Sequence, residues 1–309
     1  MPATERRLLL TARLPGLPDA LPAGLTPARW SGGDRGSLLR AVAGSTALLV
    51  TANEPVDEDL IRAAGPGLRV VGTYSTGVDH IEVEACRRAG IQVVTAAGAL
   101  APAVAEHTLG LLLACARRIV EADRFVRSGA DWRWEADAFL GAQLHGRRLG
   151  VLGLGAIGTE VARRAAAFGM EVHALPHRPG TPLPPGVIPH RDLVGLMRVS
   201  DFLTLHVPLT PETDHLIDKS LLTELPPGAI VVNTSRGRVL DQSALLELLA
   251  AGHLAGAALD VYEDEPHVPP ELRRHPRTVL TPHIGSATTA ARRAMTTAVL
   301  RRIGAALEQ

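Results

Sequence analysis

Three short segments put an arginine, a carboxylate and a histidine directly after runs that read as buried strands. Ala229-Ile-Val-Val-Asn233 leads into Thr234-Ser-Arg-Gly-Arg-Val239, Ala257-Ala-Leu-Asp260 into Val261-Tyr-Glu-Asp-Glu-Pro266, and Val279-Leu-Thr-Pro282 into His283-Ile-Gly-Ser-Ala-Thr288. Ligands of open α/β sheets bind beyond the carboxyl ends of the strands, so these loops are expected along one binding edge. Upstream, Gly153, Gly155 and Gly158 have the spacing GxGxxG. Leu149, Val151 and Leu152 read as a short strand before it. Ala156 to Phe168 reads as a helix after it, with Ile157, Val161, Ala165 and Phe168 on one apolar side. Strand before and helix after is the context that a dinucleotide-binding loop requires. Gly153 would make the tight turn, Gly155 would admit a pyrophosphate to backbone N–H groups, and Gly158 would let helix and strand pack closely.

The elements that must carry these residues alternate. Strands are expected at Leu8–Thr11, Ala47–Thr51, Arg69–Thr73 and Ile91–Thr95, and helices at Leu38–Ala43, Asp57–Ala64 and Ile81–Ala89. A Pro/Gly-rich connection fills the chain up to Arg29, and one long helix is expected from Ala101 to Arg127. Trp132 and Trp134 follow in a polar segment ending at Gly146, where they would serve a partner contact or cover an edge. After the glycine motif, strands are expected at Glu171–Ala174, Phe202–His206, Ala229–Asn233, Gly256–Asp260 and Thr278–Leu280. Helices are expected at Asp192–Met197, Leu216–Leu222, Gln242–Ala251 and Thr288–Leu307, with a loop over Pro176–Pro189. Such β–α alternation argues for parallel sheets in two α/β units, of which only the later carries a phosphate fingerprint.

Composition narrows the function classes. The 309 residues suit two domains, and 46% hydrophobic residues suffice for two cores. Lys+Arg and Asp+Glu number 32 each, so no global field invites nucleic acid or a membrane surface. Cys86 and Cys115 form no CxxC pattern and suggest a reducing compartment. The apolar run near the N-terminus is too short for a signal peptide, so a cytoplasmic protein is expected. His173 and His177 are four apart on a strand edge rather than on one helical face, and no metal site is expected. No GxSxG elbow is present for a nucleophilic serine.

Six motifs in order give the chain a family resemblance: Ser75-Thr-Gly-Val-Asp79, Val104-Ala-Glu-His-Thr-Leu-Gly-Leu-Leu-Leu113, Gly153–Gly158, Asn233–Gly237, Leu259–Pro266 and Thr281–Thr288. Across nearly its whole length the chain resembles the D-isomer-specific 2-hydroxyacid dehydrogenases. The resemblance implies a Rossmann dinucleotide-binding domain, residues 99–283, inserted into a flavodoxin-like substrate-binding domain formed by residues 1–98 and 284–309. It implies reversible reduction of a small 2-keto acid to its D-2-hydroxy acid. Arg236 would grip the substrate carboxylate, His283 would act as general acid, and Glu265 would set the tautomer of His283. Backbone N–H groups of Thr76, Gly77 and Val78 would hold the other end of the carboxylate, and Ser286 would contact the substrate hydroxyl. The resemblance also implies coenzyme contacts at Gly153, Gly155, Ala156, Ile157, Gly158, Val207, Pro208, Thr213, Thr234, Ser235, Asp260 and Gly285, while His177 and Arg178, past the second strand of that unit, offer donors suited to a 2′-phosphate. Asp79, Glu106 and His107 read as structural. A homodimer is implied, with the long helix and the tryptophan segment at its interface.

The coenzyme follows from a missing carboxylate. NAD-preferring sites place Asp or Glu at the end of the second strand, on the ribose 2′-hydroxyl. Here that strand runs Val172-His-Ala-Leu-Pro-His-Arg178, with no acid after Glu171, so NADP(H) is favoured over NAD(H). Within the family, the opening Thr11–Gly16, the tryptophan segment and the Glu263–Pro266 run look most like glyoxylate/hydroxypyruvate reductases. Formate dehydrogenases carry glutamine where Glu265 stands, and phosphite dehydrogenases a lysine near Thr76. Leu100 departs from the asparagine of many relatives and admits an acid with a larger apolar side chain. The alternatives are a D-3-phosphoglycerate, D-lactate-type or phosphite dehydrogenase, or a dinucleotide-sensing corepressor that needs no turnover.

Overall fold

The computed structural model describes residues 6–176 and 183–309, and the chain divides into two compact units. Unit 1 is Met1–Leu100 with Ala287–Gln309, and unit 2 is Ala101–Ser286.

Unit 1 contains β1 (Arg6–Leu10), β2 (Leu25–Arg29), α1 (Arg35–Val42), β3 (Ala47–Val50), α2 (Glu58–Ala64), β4 (Val70–Thr73), α3 (Val83–Arg88) and β5 (Gln92–Thr95). Its strands are all parallel in the order β2-β1-β3-β4-β5. Every side chain of β3 and β4 is buried, as expected of parallel strands covered by helices on both faces. Asp34 and Asp57 begin α1 and α2 by accepting from Ser37 N and Leu60 N, satisfying donors that helix starts leave open. The C-terminal helix, Thr289–Leu307, packs on β4 at Gly72, where an added Cβ would stand 2.7 Å from Ile303 Cδ1. One expectation fails here. The stretch before Arg29 holds strand β2, tolerating Pro27 because β2 is an edge strand paired only with β1.

Unit 2 contains α4 (Ala101–Ala116), α5 (Ile119–Arg127), β6 (Arg148–Leu152), α6 (Ala156–Ala167), β7 (Glu171–Ala174), β8 (Val187–Pro189) and α7 (Leu193–Val199). There follow β9 (Phe202–Leu205), α8 (Lys219–Thr223), β10 (Ala229–Asn233), α9 (Gln242–Ala250), β11 (Leu254–Leu259), α10 (Pro270–Arg274) and β12 (Thr278–Leu280). The seven-stranded sheet has the order β12-β11-β10-β9-β6-β7-β8, so its direction of winding reverses beside β6. Alternate residues feed two cores. Val151, Phe202, Ile230 and Val232 meet Leu109, Leu112, Val161 and Ala165 on one face. Leu152, Leu203, Leu205 and Val231 meet Met197, Leu222, Leu245 and Leu249 on the other.

Four expectations are corrected in unit 2. The helix expected over 101–127 is two helices, broken at Arg118 with φ 55°. Residues 141–142 cross the end of α4, where Ala142 N donates to Ala116 O at 2.8 Å and takes a carbonyl that a continuing helix would need. Part of the Pro176–Pro189 loop is edge strand β8. The helix expected from Leu216 begins at Lys219, because Asp218 caps it and Ile217 is bridged to Leu240. Phe168 is not on the buried side of α6 but ends that helix, 44% exposed.

Candidate active site

The loops after β10, β11 and β12 meet through backbone contacts that begin with Asn233. Its Oδ1 accepts from Ser235 N and Ser235 Oγ, and its Nδ2 donates to Arg236 O at 2.9 Å. This closed turn presents Arg236, half-buried, with its Nη1 donating to Ser235 O. Gly237 comes next, and a Cβ there would lie 1.8 Å from Tyr262 C. Only glycine lets the arginine loop press directly against the backbone of the loop that carries Glu265.

Glu265 has one oxygen for each task. Oε1 accepts from Tyr262 N at 3.0 Å, and Oε2 lies 2.8 Å from His283 Nδ1. The imidazole is therefore held by Nδ1, and Nε2 is the nitrogen left for a substrate. His283 adopts φ 53°, a left-handed conformation that is costly for a residue with a Cβ. Asp260 holds it there. The His283 N–H donates to the Asp260 carbonyl at 2.8 Å, while the Asp260 carboxylate accepts from Ile284 N at 2.8 Å and Gly285 N at 2.7 Å.

Asp260 is 1% exposed, and its surroundings show why it stays ionised. Burial opposes the charge, but bonds from His107, Thr281 and Ile284 N outweigh it and hold the carboxyl below the usual range. Thr281 Oγ1 donates to Asp260 Oδ1, which commits its only proton, so His107 Nε2 at 3.1 Å from Thr281 Oγ1 must be a donor. Tyr262 OH donates to Thr281 O at 3.0 Å, and burial pushes that phenol up to about 12. His107, Tyr262, Thr281 and Gly237 thus position the site without having been singled out for it. Only the glycine in Ser-Arg-Gly237 carried a local signal; the others act through partners distant in sequence.

The glycine loop has the form its spacing predicts. Gly153 has φ 99°, and a Cβ there would stand 2.7 Å from His206 C. A Cβ on Gly158 would stand 1.9 Å from Gly153 O, so helix and turn touch backbone to backbone. Gly155, the N-cap of α6, has no side-chain cap, and a Cβ on it would enter open space. These features fit the pyrophosphate of a dinucleotide, which would approach the first N–H groups of α6, at Ala156 and Ile157.

Other candidate positions are already engaged. Thr108 Oγ1 donates to Val104 O, so Thr234 Oγ1 must donate to Thr108, and Thr234 ties its loop to α4. The hydroxyl proton of Ser235 is committed to Asn233, and the N–H of Gly285 to Asp260. Thr213 Oγ1 donates to Pro208 O at 2.6 Å and closes the segment that begins at Val207. Ser286 is half-buried at the end of unit 2. His177 and Arg178 lie outside the described residues. Glu171, the last acid before them, bonds His173 Nε2 at 2.7 Å, and His173 Nδ1 lies 2.8 Å from His190 Nε2.

In unit 1, residues 74–79 leave β4 as an open loop. Ser75 Oγ donates to Gly77 O at 2.6 Å. Among the described residues, the N–H groups of Thr76, Gly77 and Val78 make no hydrogen bond.

Known proteins match this arrangement. Residues 109–285 match the family model of the D-isomer specific 2-hydroxyacid dehydrogenase NAD-binding domain. The glyoxylate reductase of Thermococcus litoralis is 42% identical over 276 residues, 87% of this chain and 82% of that protein. A protein of Thermus thermophilus has a crystal structure that superposes with a TM-score of 0.87 at 39% identity, covering 98% of this chain and 97% of that one. An NADPH-dependent glyoxylate/hydroxypyruvate reductase of Sinorhizobium meliloti, solved with citrate, superposes with a TM-score of 0.84 at 30% identity, covering 97% and 94%. A nicotinamide dinucleotide loop, a histidine–carboxylate pair and this likeness over most of the chain lead to one assignment: the protein belongs to the D-isomer specific 2-hydroxyacid dehydrogenase family.

Proposed function

We propose that the protein reduces a small 2-keto acid, of the glyoxylate or hydroxypyruvate type, to the D-2-hydroxy acid. The observation that carries this reading is the 2.8 Å pair of Glu265 Oε2 and His283 Nδ1, which leaves Nε2 to deliver a proton. A bound reduced nicotinamide supplies the hydride. Nε2 of His283 gives its proton to the carbonyl oxygen as negative charge develops there, and Glu265 stabilises the ring by keeping Nδ1 bonded throughout. Arg236 grips the carboxylate with its planar fork and polarises the carbonyl. The N–H groups of Thr76, Gly77 and Val78 would receive the other end of the carboxylate. A spectrophotometric screen of 2-keto acids against both coenzymes tests this, with glyoxylate or hydroxypyruvate expected among the best substrates. Tight coenzyme binding with no turnover would favour a sensor instead.

NADPH is the coenzyme we favour. No acid follows Glu171 on or after β7 up to residue 176, and Glu171 itself is engaged by His173. The comparison of Michaelis constants for NADPH and NADH decides, and a tenfold preference for NADH overturns it. We also infer a homodimer, because Ile119, Val126, Trp132, Trp134 and Leu140 are 52–81% exposed on one unit. Cytoplasmic residence is supported by Cys86 and Cys115, both buried free thiols.

A further inference from the structure

The loop after β4 is held by a hydrogen-bonded chain whose direction follows from counting protons. Ser75 Oγ is 2.6 Å from the Gly77 carbonyl oxygen, which can only accept, so the single hydroxyl proton of Ser75 is committed there. Thr73 Oγ1 is 2.8 Å from Ser75 Oγ, and Thr73 must therefore be the donor of that pair. Thr73, its own proton now committed, must accept from His80 Nε2 at 2.9 Å. Protons are thus ordered from His80 through Thr73 and Ser75 to the Gly77 carbonyl, and His80 carries a proton on Nε2.

The chain ends on the peptide that joins Gly77 to Val78. Carbonyl and N–H of a trans peptide point in opposite directions, so anchoring the Gly77 oxygen on Ser75 aims the Val78 N–H away from it. A peptide whose carbonyl accepts a bond is also a stronger donor, by roughly 10–30% per bond in such chains. Val78 N–H is one of the three that make no bond among the described residues. We propose that His80, Thr73 and Ser75 form a one-way relay that aims and polarises the Val78 N–H toward the substrate carboxylate. They are positioning residues and need touch no substrate. The inference rests on the reading that this loop receives the carboxylate.

The test uses the full-length enzyme bound to reduced coenzyme. Ser75→Ala and the isosteric Thr73→Val break the relay, whereas Thr73→Ser keeps it, and His80→Gln retains a donor where His80→Leu does not. Michaelis constants for the 2-keto acid are measured with the dissociation constants of oxamate and its uncharged amide, oxamide. Breaking the relay is expected to weaken oxamate binding and raise KM about three- to tenfold. The rise in KM should exceed any fall in kcat, oxamide binding should not change, and Thr73→Ser and His80→Gln should restore wild-type behaviour. Retained oxamate affinity in Ser75→Ala and Thr73→Val overturns the relay, as does an equal loss for oxamide, which signals general loop damage. A wild-type enzyme that does not prefer oxamate to oxamide would instead defeat the carboxylate reading itself.

Discussion

The proposed reaction would ask His283 to do two things, which its surroundings divide between its two nitrogens. Glu265 keeps Nδ1, so loss of the imidazole should remove proton delivery from Nε2 and little else. His283→Gln is expected to lower kcat by about a hundred- to ten-thousandfold, the usual range for a general acid, with coenzyme affinity nearly unchanged by fluorescence titration. Near-normal turnover would refute the acid role. In the role proposed for it, Arg236 would act through shape as well as charge. In Arg236→Lys the charge remains and the bidentate fork is lost, so KM for the keto acid should rise at least about tenfold, with a slower kcat. Saturation kinetics with the best substrate of the screen measure both.

At the scale of elements, the site depends on two places where backbone meets backbone. The arginine loop reaches the glutamate loop only because Gly237 lacks a Cβ, and α6 closes on the turn after β6 only because Gly158 does. Alanine at either position would overlap carbonyl or carbon atoms less than 2 Å away, so backbone must move. Each substitution is expected to cost about 2–3 kcal/mol, the scale of an overpacked core. The two should differ in kind. Gly158→Ala should weaken coenzyme binding first, whereas Gly237→Ala should impair turnover at saturating coenzyme by separating Arg236 from the Glu265–His283 pair. Denaturant melts together with coenzyme titrations tell these apart.

Across the whole molecule, stability is linked to pH through a half-buried histidine ring. His206, just after β9, bonds Thr204 Oγ1 through Nε2, while its buried Nδ1 has no partner among the described residues, and burial holds its pKa down to about 3. The unfolded chain takes up this proton near pH 6.5, but the folded chain does not until about pH 3. The contribution is thus complete above pH 6.5 and is lost as pH falls, at no more than about 1.4 kcal/mol per pH unit. Urea midpoints at pH 7 and pH 5 should differ less in His206→Gln than in the wild type. Assembly is the other property of this scale. Trp132→Asp combined with Trp134→Asp should shift light-scattering mass from dimer to monomer, and a wild-type monomer would remove that reading.

Much of the site was legible because its signals are local. The glycine spacing between a strand and a helix, the polar loops after apolar runs, and the aspartates that begin α2 and α7 each depend on neighbours a few residues away. The apolar runs that became β9 and β10 similarly announced buried strands. Features made by chain-distant partners could not be read this way. The break at Arg118 arises because residues 141–142 take the end of α4, and edge strands β2 and β8 exist because a neighbour offers a ladder to join. Sequence by itself determined that an arginine, a glutamate and a histidine follow strands in the same unit as a dinucleotide loop. Only the tertiary structure decided that Glu265 holds His283 by Nδ1, that Asp260 spends both its oxygens on fixing that loop, and that the bonds behind Gly77 run one way. The reason is physical: residue type limits which atoms can donate, but the partner that commits each proton is brought near by the fold.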